Sequence, residues 1–345
     1  VSTNVAKSSL PSLYDYKFDK LLAYQNKYGE KESKALVGLP LGLNFYDQIP
    51  FFTTLFNELG FRVIFSDVTS RKTYYKGQHT IASDTACYPA KLMHGHIKDL
   101  LEKNVSFIFY PCQTYNYDEK ESDNHYNCPI VAYYPETLKA NMEELNSDNF
   151  ISPYLDLNNP EQVADALKKS LKKYHLKKKD IVSALKKAYE EENAYHKDIY
   201  EKGQEYIALA RKEHAKIIVL AGRPYHIDPE INHGIAHYIS SLGLLVLSED
   251  ALSYQEHSPK LYILNQWTYH SRLFKAARYI LDQKDMQMIQ LVSFGCGIDA
   301  ITTDELRYLL ESNGKLYTQL KIDEINNLGA LKIRIRSLLA AMEEK

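Results

Sequence analysis

Short apolar runs of strand length alternate with segments of helical spacing along most of this sequence. The runs predict strands over residues 35–40, 61–65, 105–110, 129–134, 216–220, 244–247, 289–294 and 316–322. Helical segments lie between most of them, which favours parallel strand pairing because a crossover helix must connect parallel neighbours. We therefore expect an α/β fold of two Rossmann- or flavodoxin-like units with mainly parallel sheets, joined by a helical section.

The helical section is marked by a change of composition. Residues 161–215 contain no Pro and a single Gly, and they are rich in Lys, Glu and Ala. This pattern predicts two long helices with solvated charged faces. We expect an N-terminal helical lead-in over 1–34, a first α/β unit over 35–150, a helical linker over 151–215 and a second α/β unit over 216–345.

Charge and hydropathy exclude two kinds of partner. Lys and Arg total 42 against 44 Asp and Glu, for a net charge of -2, so the basic excess of a nucleic-acid binder is missing. We also expect no membrane span, because no apolar run reaches the ~18 residues that one needs. The N-terminus has no signal-peptide pattern, so we expect a reducing cytoplasm. The missing starting Met indicates processing or a piece of a longer polypeptide.

The four cysteines fall at the ends of predicted elements. Cys112 and Cys296 follow the strands over 105–110 and 289–294, and carboxyl ends of parallel strands are where α/β sheets bind ligands. Cys87 begins a predicted helix, whose N-terminal partial charge favours a thiolate, and Cys128 precedes the strand predicted over 129–134. Four cysteines are too few for a disulfide scaffold. Their placement beside Pro or Gly predicts metal ligands instead.

The spacing of these cysteines bears on which metal they bind. None of them belongs to the paired knuckles of a structural zinc site, and dispersed thiolates suit a [4Fe–4S] cluster in a preformed pocket. Two alternatives stay open. One is a zinc-stabilised, non-enzymatic α/β module of a larger protein, and the other is a metal-free α/β enzyme acting on a small molecule through Arg223, His226 and His270.

Five further residues are candidate cofactor contacts: Lys91, Arg223, His226, Gly295 and Gly297. The lysine lies one helical turn after the first cysteine, where it can offset negative charge on a cluster. The arginine and the histidine follow the strand over 216–220 and can contact an anion, a substrate or the cluster sulfurs. The two glycines flank the last cysteine and let the backbone approach a bulky ligand. No catalytic residue is identified.

Several motifs together resemble one known family. They are residues 84–91 (DTACYPAK), 109–112 (FYPC), 127–129 (NCP), 222–234 (GRPYHIDPEINHG), 265–270 (NQWTYH) and 294–300 (FGCGIDA). The chain resembles the 2-hydroxyacyl-CoA dehydratase and activase-related family. More closely, it resembles the cluster-binding domain of large acyl-CoA dehydratase activator-related proteins, akin to double-cubane cluster proteins. The likeness extends over residues 37–341.

The resemblance implies a redox role. In such families an ATP-dependent activase module, in cis or in trans, delivers a low-potential electron to an iron–sulfur partner, which uses it in a radical dehydration or a difficult reduction. This chain has no glycine-rich phosphate loop, so it resembles the electron-accepting component of a reductase or lyase. The implied cofactor is a [4Fe–4S] cluster between the units, with Cys87, Cys112, Cys128 and Cys296 as ligands. Acyl-CoA or another small substrate and a homodimer are compatible with the resemblance, and the cluster is either closed by four cysteines or open at one iron.

Overall fold

Two parallel sheets organise the chain. The computed structural model describes residues 10–29, 32–120, 122–293, 295–324 and 328–343. One four-stranded sheet has the order β2-β1-β3-β4, and its strands are β1 (Leu36–Leu39), β2 (Arg62–Phe65), β3 (Phe107–Phe109) and β4 (Phe150–Ile151). The other has the order β6-β5-β7-β8, and its strands are β5 (Ile217–Ala221), β6 (Leu245–Leu247), β7 (Met286–Ser293) and β8 (Tyr317–Ile322). Every strand pairing is parallel, which confirms the predicted α/β fold.

Helices connect these strands. Those of the first half are α1 (Leu13–Ala23), α2 (Phe45–Glu58), α3 (Arg71–Gly77), α4 (Tyr88–Glu102), α5 (Pro129–Asn141), α6 (Pro160–Ser170) and α7 (Lys178–Lys212). Those of the second half are α8 (Ile235–Ser241), α9 (Asp250–Ser253), α10 (Thr268–Leu281), α11 (Gly297–Glu311) and α12 (Leu328–Glu343). None of the helices in the described part of the chain has both the length and the apolar character that a membrane crossing requires.

The chain divides into two compact units. The N-terminal unit, with β1 to β4, comprises the described residues within 19–195 and 266–268. The C-terminal unit, with β5 to β8, comprises those within 1–18, 196–265 and 269–345. Helix α7 contributes to both units. The domain boundaries drawn from the sequence stay a prediction.

Both units have the same strand order. In each sheet the first strand lies between the second and the third, so the chain reverses its direction of travel across the sheet between the first and third strands. Ligands of open α/β sheets bind at such a switch point, outside the carboxyl ends of the strands. The switch points lie between β1 and β3 in the N-terminal unit and between β5 and β7 in the C-terminal unit.

The strand predicted over residues 129–134 is wrong. This segment begins helix α5, whose first residue is a proline preceded by Cys128 as N-cap, a position that suits the fixed φ of proline. The buried positions Val131, Tyr134 and Leu138 have helical spacing, because the helix covers one face of the unit. The fourth strand is instead the short β4.

Two helices of the C-terminal unit begin at positions set by the residues before them. Helix α8 begins only at Ile235, because His233 and Gly234 have φ values of 51° and 69° in the left-handed region. Helix α11 begins at Gly297, directly after Cys296. Phe294, the predicted last residue of the seventh strand, lies outside the described residues.

Candidate functional site

Three of the four cysteines are helix N-caps. Cys87 precedes α4, Cys128 precedes α5 and Cys296 precedes α11, and all three have extended backbone conformations. The Cys128 sulfur accepts a hydrogen bond from the Val131 N–H at 3.4 Å. The partial positive charge of a helix N-terminus stabilises an anionic sulfur, so this position suits a thiolate ligand.

Cys112 has a different environment. It follows β3 and is fully buried, and its backbone bonds to the segment after β4 through Pro153 O and Leu155 N, both at 2.9 Å. Its sulfur lies 3.8 Å from Glu136 Oε1. Burial and the Glu136 charge raise the pKa of Cys112 to about 12. A metal bound here must therefore displace a thiol proton.

The three cysteines of the N-terminal unit lie at one end of its sheet. The Gln113 N–H donates to Ala132 O at 3.0 Å, which ties the end of β3 to the first turn of α5. His94 Nε2 and the Tyr134 hydroxyl are 3.0 Å apart, which joins α4 to α5. Burial raises the pKa of Tyr110, and charge on Tyr134 and on all three cysteines raises it further. Tyr110 therefore has Cys87, Cys112 and Cys128 as its electrostatic neighbours.

Cys296 occupies the corresponding position in the C-terminal unit. It follows β7, the third strand of its unit, as Cys112 follows β3, the third strand of the other. Gly295 has a φ of 72, and a Cβ added at Gly295 or Gly297 meets no described atom within 4 Å. The backbone beside this cysteine therefore has open space on both sides, and the approach of a bulky ligand there stays a prediction.

The cysteines do not form the compact donor group that a single metal ion needs. Across the described ranges, no group of three or more His, Cys, Asp or Glu side chains could hold a metal ion. Thiolates that bind a cubane attach to separate irons, so they need not converge on one point as the ligands of a single ion do. Soft thiol donors around one buried tyrosine fit the chemistry of an iron–sulfur cluster.

A buried polar network lies at the switch point of the C-terminal unit. The Arg223 guanidinium donates to Asp299 Oδ1 at 2.5 Å and to Oδ2 at 2.8 Å. His270 Nε2 lies 3.1 Å from Asp299 Oδ1. Burial favours a protonated Asp299, but the positive charge of Arg223, together with the hydrogen bonds of His270 and Arg223, holds its pKa well below the ordinary value. The network therefore contains an ion pair, and all three side chains are buried.

This ion pair fixes the turn that carries Cys296. Asp299 lies in the first turn of α11, and its Oδ2 also accepts from the Ser293 N–H at 3.0 Å. Arg223 follows β5, so the pair joins the carboxyl ends of β5 and β7. The structure thus gives Arg223 a carboxylate partner within the chain, and a contact between Arg223 and a cofactor stays a prediction.

His226 is a neutral donor. The Arg223 N–H donates to His226 Nδ1 at 2.8 Å, and burial together with the Arg223 charge lowers the pKa of His226 well below 6.5. The proton of the neutral ring therefore sits on Nε2, which is buried and has no hydrogen-bond partner among the described residues. A Cβ on Gly222 would lie 2.2 Å from His226 Nδ1, so only glycine permits this turn.

Lys91 is buried in the first turn of α4. The backbone N–H of Lys91 donates to the backbone oxygen of Cys87 at 3.1 Å, so the lysine lies one helical turn after the cysteine. The side chain is 5% exposed, so it is part of the protein interior rather than a surface lysine. Its role in offsetting cluster charge stays a prediction.

The sequence analysis missed a buried amide cluster in the N-terminal unit. Asn44 Nδ2 donates to Gln48 Oε1 at 2.8 Å and to Gln113 Oε1 at 2.6 Å, and all three side chains are buried. Asn44 follows β1 and Gln113 follows β3, so the bond between them spans the switch point. The signal was available, because Gln113 directly follows Cys112 in the sequence.

The sequence analysis also did not identify Glu249, a buried carboxyl group that follows β6. Burial and the charge of Asp250 raise the pKa of Glu249 to about 7, although its Oε2 accepts from the Gly222 N–H at 3.2 Å. Burial also opposes ionisation of Asp250, but Lys17, at 2.5 Å, lowers the pKa of Asp250 to about 2. The two adjacent carboxyl groups therefore lose their protons at well-separated pH values.

Glu249→Gln should change the pH dependence of stability. The folded protein holds the Glu249 proton up to about pH 7, while the unfolded chain loses it near pH ~4.3, so the free energy of unfolding falls as pH rises through that window. The amide removes this term and should raise the free energy of unfolding at pH ~8 by about 1–3 kcal/mol. Urea unfolding at several pH values measures it. Glu201→Gln, at a carboxylate that is 62% exposed, is the control, and an unchanged slope in Glu249→Gln would contradict the prediction.

The chain is similar to a hypothetical protein from Thermus thermophilus, at 12% sequence identity and a TM-score of 0.21, over 96% of this chain and 84% of the other. A TM-score of this size carries no argument about fold or function. No curated protein matches the chain.

A family model matches more than half of the chain. It covers residues 36–252, which contain all of the N-terminal sheet, three of the four cysteines and the turn with Arg223 and His226. The family is described as the CoA enzyme activase uncharacterised domain, DUF2229. This chain belongs to that CoA enzyme activase-related family.

Proposed function

We propose that this chain is an iron–sulfur redox component that accepts low-potential electrons from an ATP-dependent activase, as the relation to 2-hydroxyacyl-CoA dehydratases implies. The observation that carries the proposal is that Cys112 follows the carboxyl end of β3 while Cys87 and Cys128 cap helices α4 and α5 of the same unit. Membership of a CoA enzyme activase-related family supports it. The activase module acts in cis or in trans.

The three cysteines of the N-terminal unit would hold a [4Fe–4S] cluster, and the assignment of Cys296 as a further ligand stays a prediction from the sequence. When bound, the cluster supplies a site that takes up and passes on one electron. The chain's own groups favour the added negative charge, because Cys87 and Cys128 occupy the N-cap positions of α4 and α5, where the helix partial charge is positive. Lys91, buried one turn into α4, adds a positive charge on the same helix. Acyl-CoA is the substrate class that the family relation favours.

Anaerobic metal analysis tests the proposal. We expect the purified or reconstituted chain to contain about four irons and four sulfides and to give an electron paramagnetic resonance signal after reduction. Cys112→Ser should lose the cluster, while Ser83→Ala, in the loop before Cys87, should keep it. Cys296→Ser distinguishes a cluster closed by four cysteines from one open at one iron. If the variant retains a cluster, the three cysteines of the N-terminal unit suffice to bind it. About one zinc without sulfide, or no bound metal at all, would overturn the proposal.

A further inference from the structure

Tyr110 has a buried hydroxyl with no hydrogen-bond partner among the described residues. The residue directly follows β3 and is fully buried, and its ring packs against Phe45 with the centroids 5.5 Å apart. Buried polar groups are hydrogen-bonded in the great majority of cases, so an exception requires an explanation. A ligand acceptor that the protein itself does not provide would explain it.

Tyr110 lies in the segment that carries one candidate ligand, and this segment is tied to the helices that the other two cap. Cys112 follows Tyr110 by two residues, and the backbone bond from Gln113 to Ala132 ties this segment to the helix that Cys128 caps. Helix α4, which Cys87 caps, joins the same helix through His94 and Tyr134. A phenolic O–H can donate a hydrogen bond, and the Tyr110 hydroxyl makes none to the described part of the chain. It is therefore available as a donor to an acceptor bound beside it.

We propose that the Tyr110 hydroxyl donates a hydrogen bond to a sulfur of the cluster bound by Cys87, Cys112 and Cys128, and so raises the reduction potential of that cluster. The inference rests on the proposed function and names a potential-tuning residue within it. Reduction adds negative charge to the cluster sulfurs, so a donor stabilises the reduced form more than the oxidised form. Tyr110 would thereby help the cluster accept its electron.

Tyr110→Phe isolates the hydroxyl, because the ring and its packing are kept. In the metal-free chain the substitution should not reduce thermal stability, since no hydrogen bond is lost. In the cluster-loaded chain, the ratio of reduced to oxidised cluster at a given solution potential should fall about tenfold. For one electron this equals a shift of the reduction potential by ~59 mV to more negative values. A redox titration followed by electron paramagnetic resonance measures the shift.

Tyr189→Phe is the matched control. Its hydroxyl donates to Leu157 O at 2.6 Å in the same unit, and no cysteine is among the groups that raise its pKa. This variant should lose thermal stability without metal and should keep the wild-type potential when loaded. The two tyrosines are therefore expected to respond in opposite ways in the two measurements.

The outcomes separate the inference from the proposed function. A wild-type chain without iron and sulfide overturns both. A loaded chain in which Tyr110→Phe leaves the potential unchanged, or raises it, overturns the inference alone. A loss of stability in metal-free Tyr110→Phe as large as that in Tyr189→Phe also overturns it, because the hydroxyl would then have a partner within the protein. Loss of the cluster from Tyr110→Phe at unchanged metal-free stability supports the bond.

Discussion

Asp299→Asn should lower the free energy of unfolding by about 3–5 kcal/mol, because it leaves the buried Arg223 guanidinium without its counter-charge. Arg223 is 7% exposed, so water cannot replace the lost carboxylate. The substitution also weakens the acceptor of the Ser293 N–H and hence the turn that carries Cys296. Urea unfolding at neutral pH measures the effect.

An exposed ion pair provides the control for this prediction. Asp282 is 76% exposed and pairs with Arg278 at 3.2 Å, so Asp282→Asn should change the free energy of unfolding by no more than about 0.5 kcal/mol. The double substitution of Arg223→Met with Asp299→Leu removes both buried charges and should recover most of the stability that Asp299→Asn loses. A loss under about 1 kcal/mol in Asp299→Asn would show that the pair does not hold the unit together.

Gly95→Ala should destabilise the N-terminal unit by about 3 kcal/mol, the upper end of the usual cost of overpacking. A Cβ at Gly95 would lie 1.8 Å from the backbone oxygen of Thr73, and one at Gly77 would lie 2.3 Å from the Gly95 nitrogen. Helices α3 and α4 thus touch backbone to backbone, and a methyl group must push them apart. The gain of ~1 kcal/mol in helix propensity does not offset this.

The expected displacement has a second consequence, because Cys87 is the N-cap of α4. Gly95→Ala should therefore weaken retention of the proposed cluster in addition to lowering thermal stability. Gly38→Ala in β1 is the control, since its Cβ would meet only side-chain atoms of Leu100 and Val105 at 3.1 Å and beyond. Equal melting temperatures for the two variants would show that the helices separate at little cost.

The sheets could be predicted from local patterns, and the segment after Cys128 shows where such patterns fail. A short apolar run of residues after a proline is compatible with a buried strand or with a helix that starts at proline. Only the longer spacing through Val131, Tyr134 and Leu138 favours the helix, and the strand prediction ended before Leu138. The order of strands within each sheet depends on long-range packing, which short windows do not contain.

Some features of the candidate site could likewise be predicted from local sequence, and others depend on residues distant in the sequence. The positions of Cys87, Cys112 and Cys296 at element ends follow from periodicity and from Pro and Gly, and the structure places them there. The partner of Arg223 lies 76 residues away in the sequence, so no local motif reveals it. Tyr110 resembles an ordinary apolar strand end until its buried hydroxyl is seen without a partner among the described residues.

The polar network of the C-terminal unit has a constant charge over the physiological pH range. Burial lowers the pKa values of His226 and His270, so both rings stay neutral, while Asp299 stays ionised and Arg223 stays protonated. The four groups therefore sum to zero charge at neutral pH. Negative charge placed beside Cys296 would face a fixed ion pair and two imidazoles whose burial favours the neutral form, rather than a patch of net positive charge.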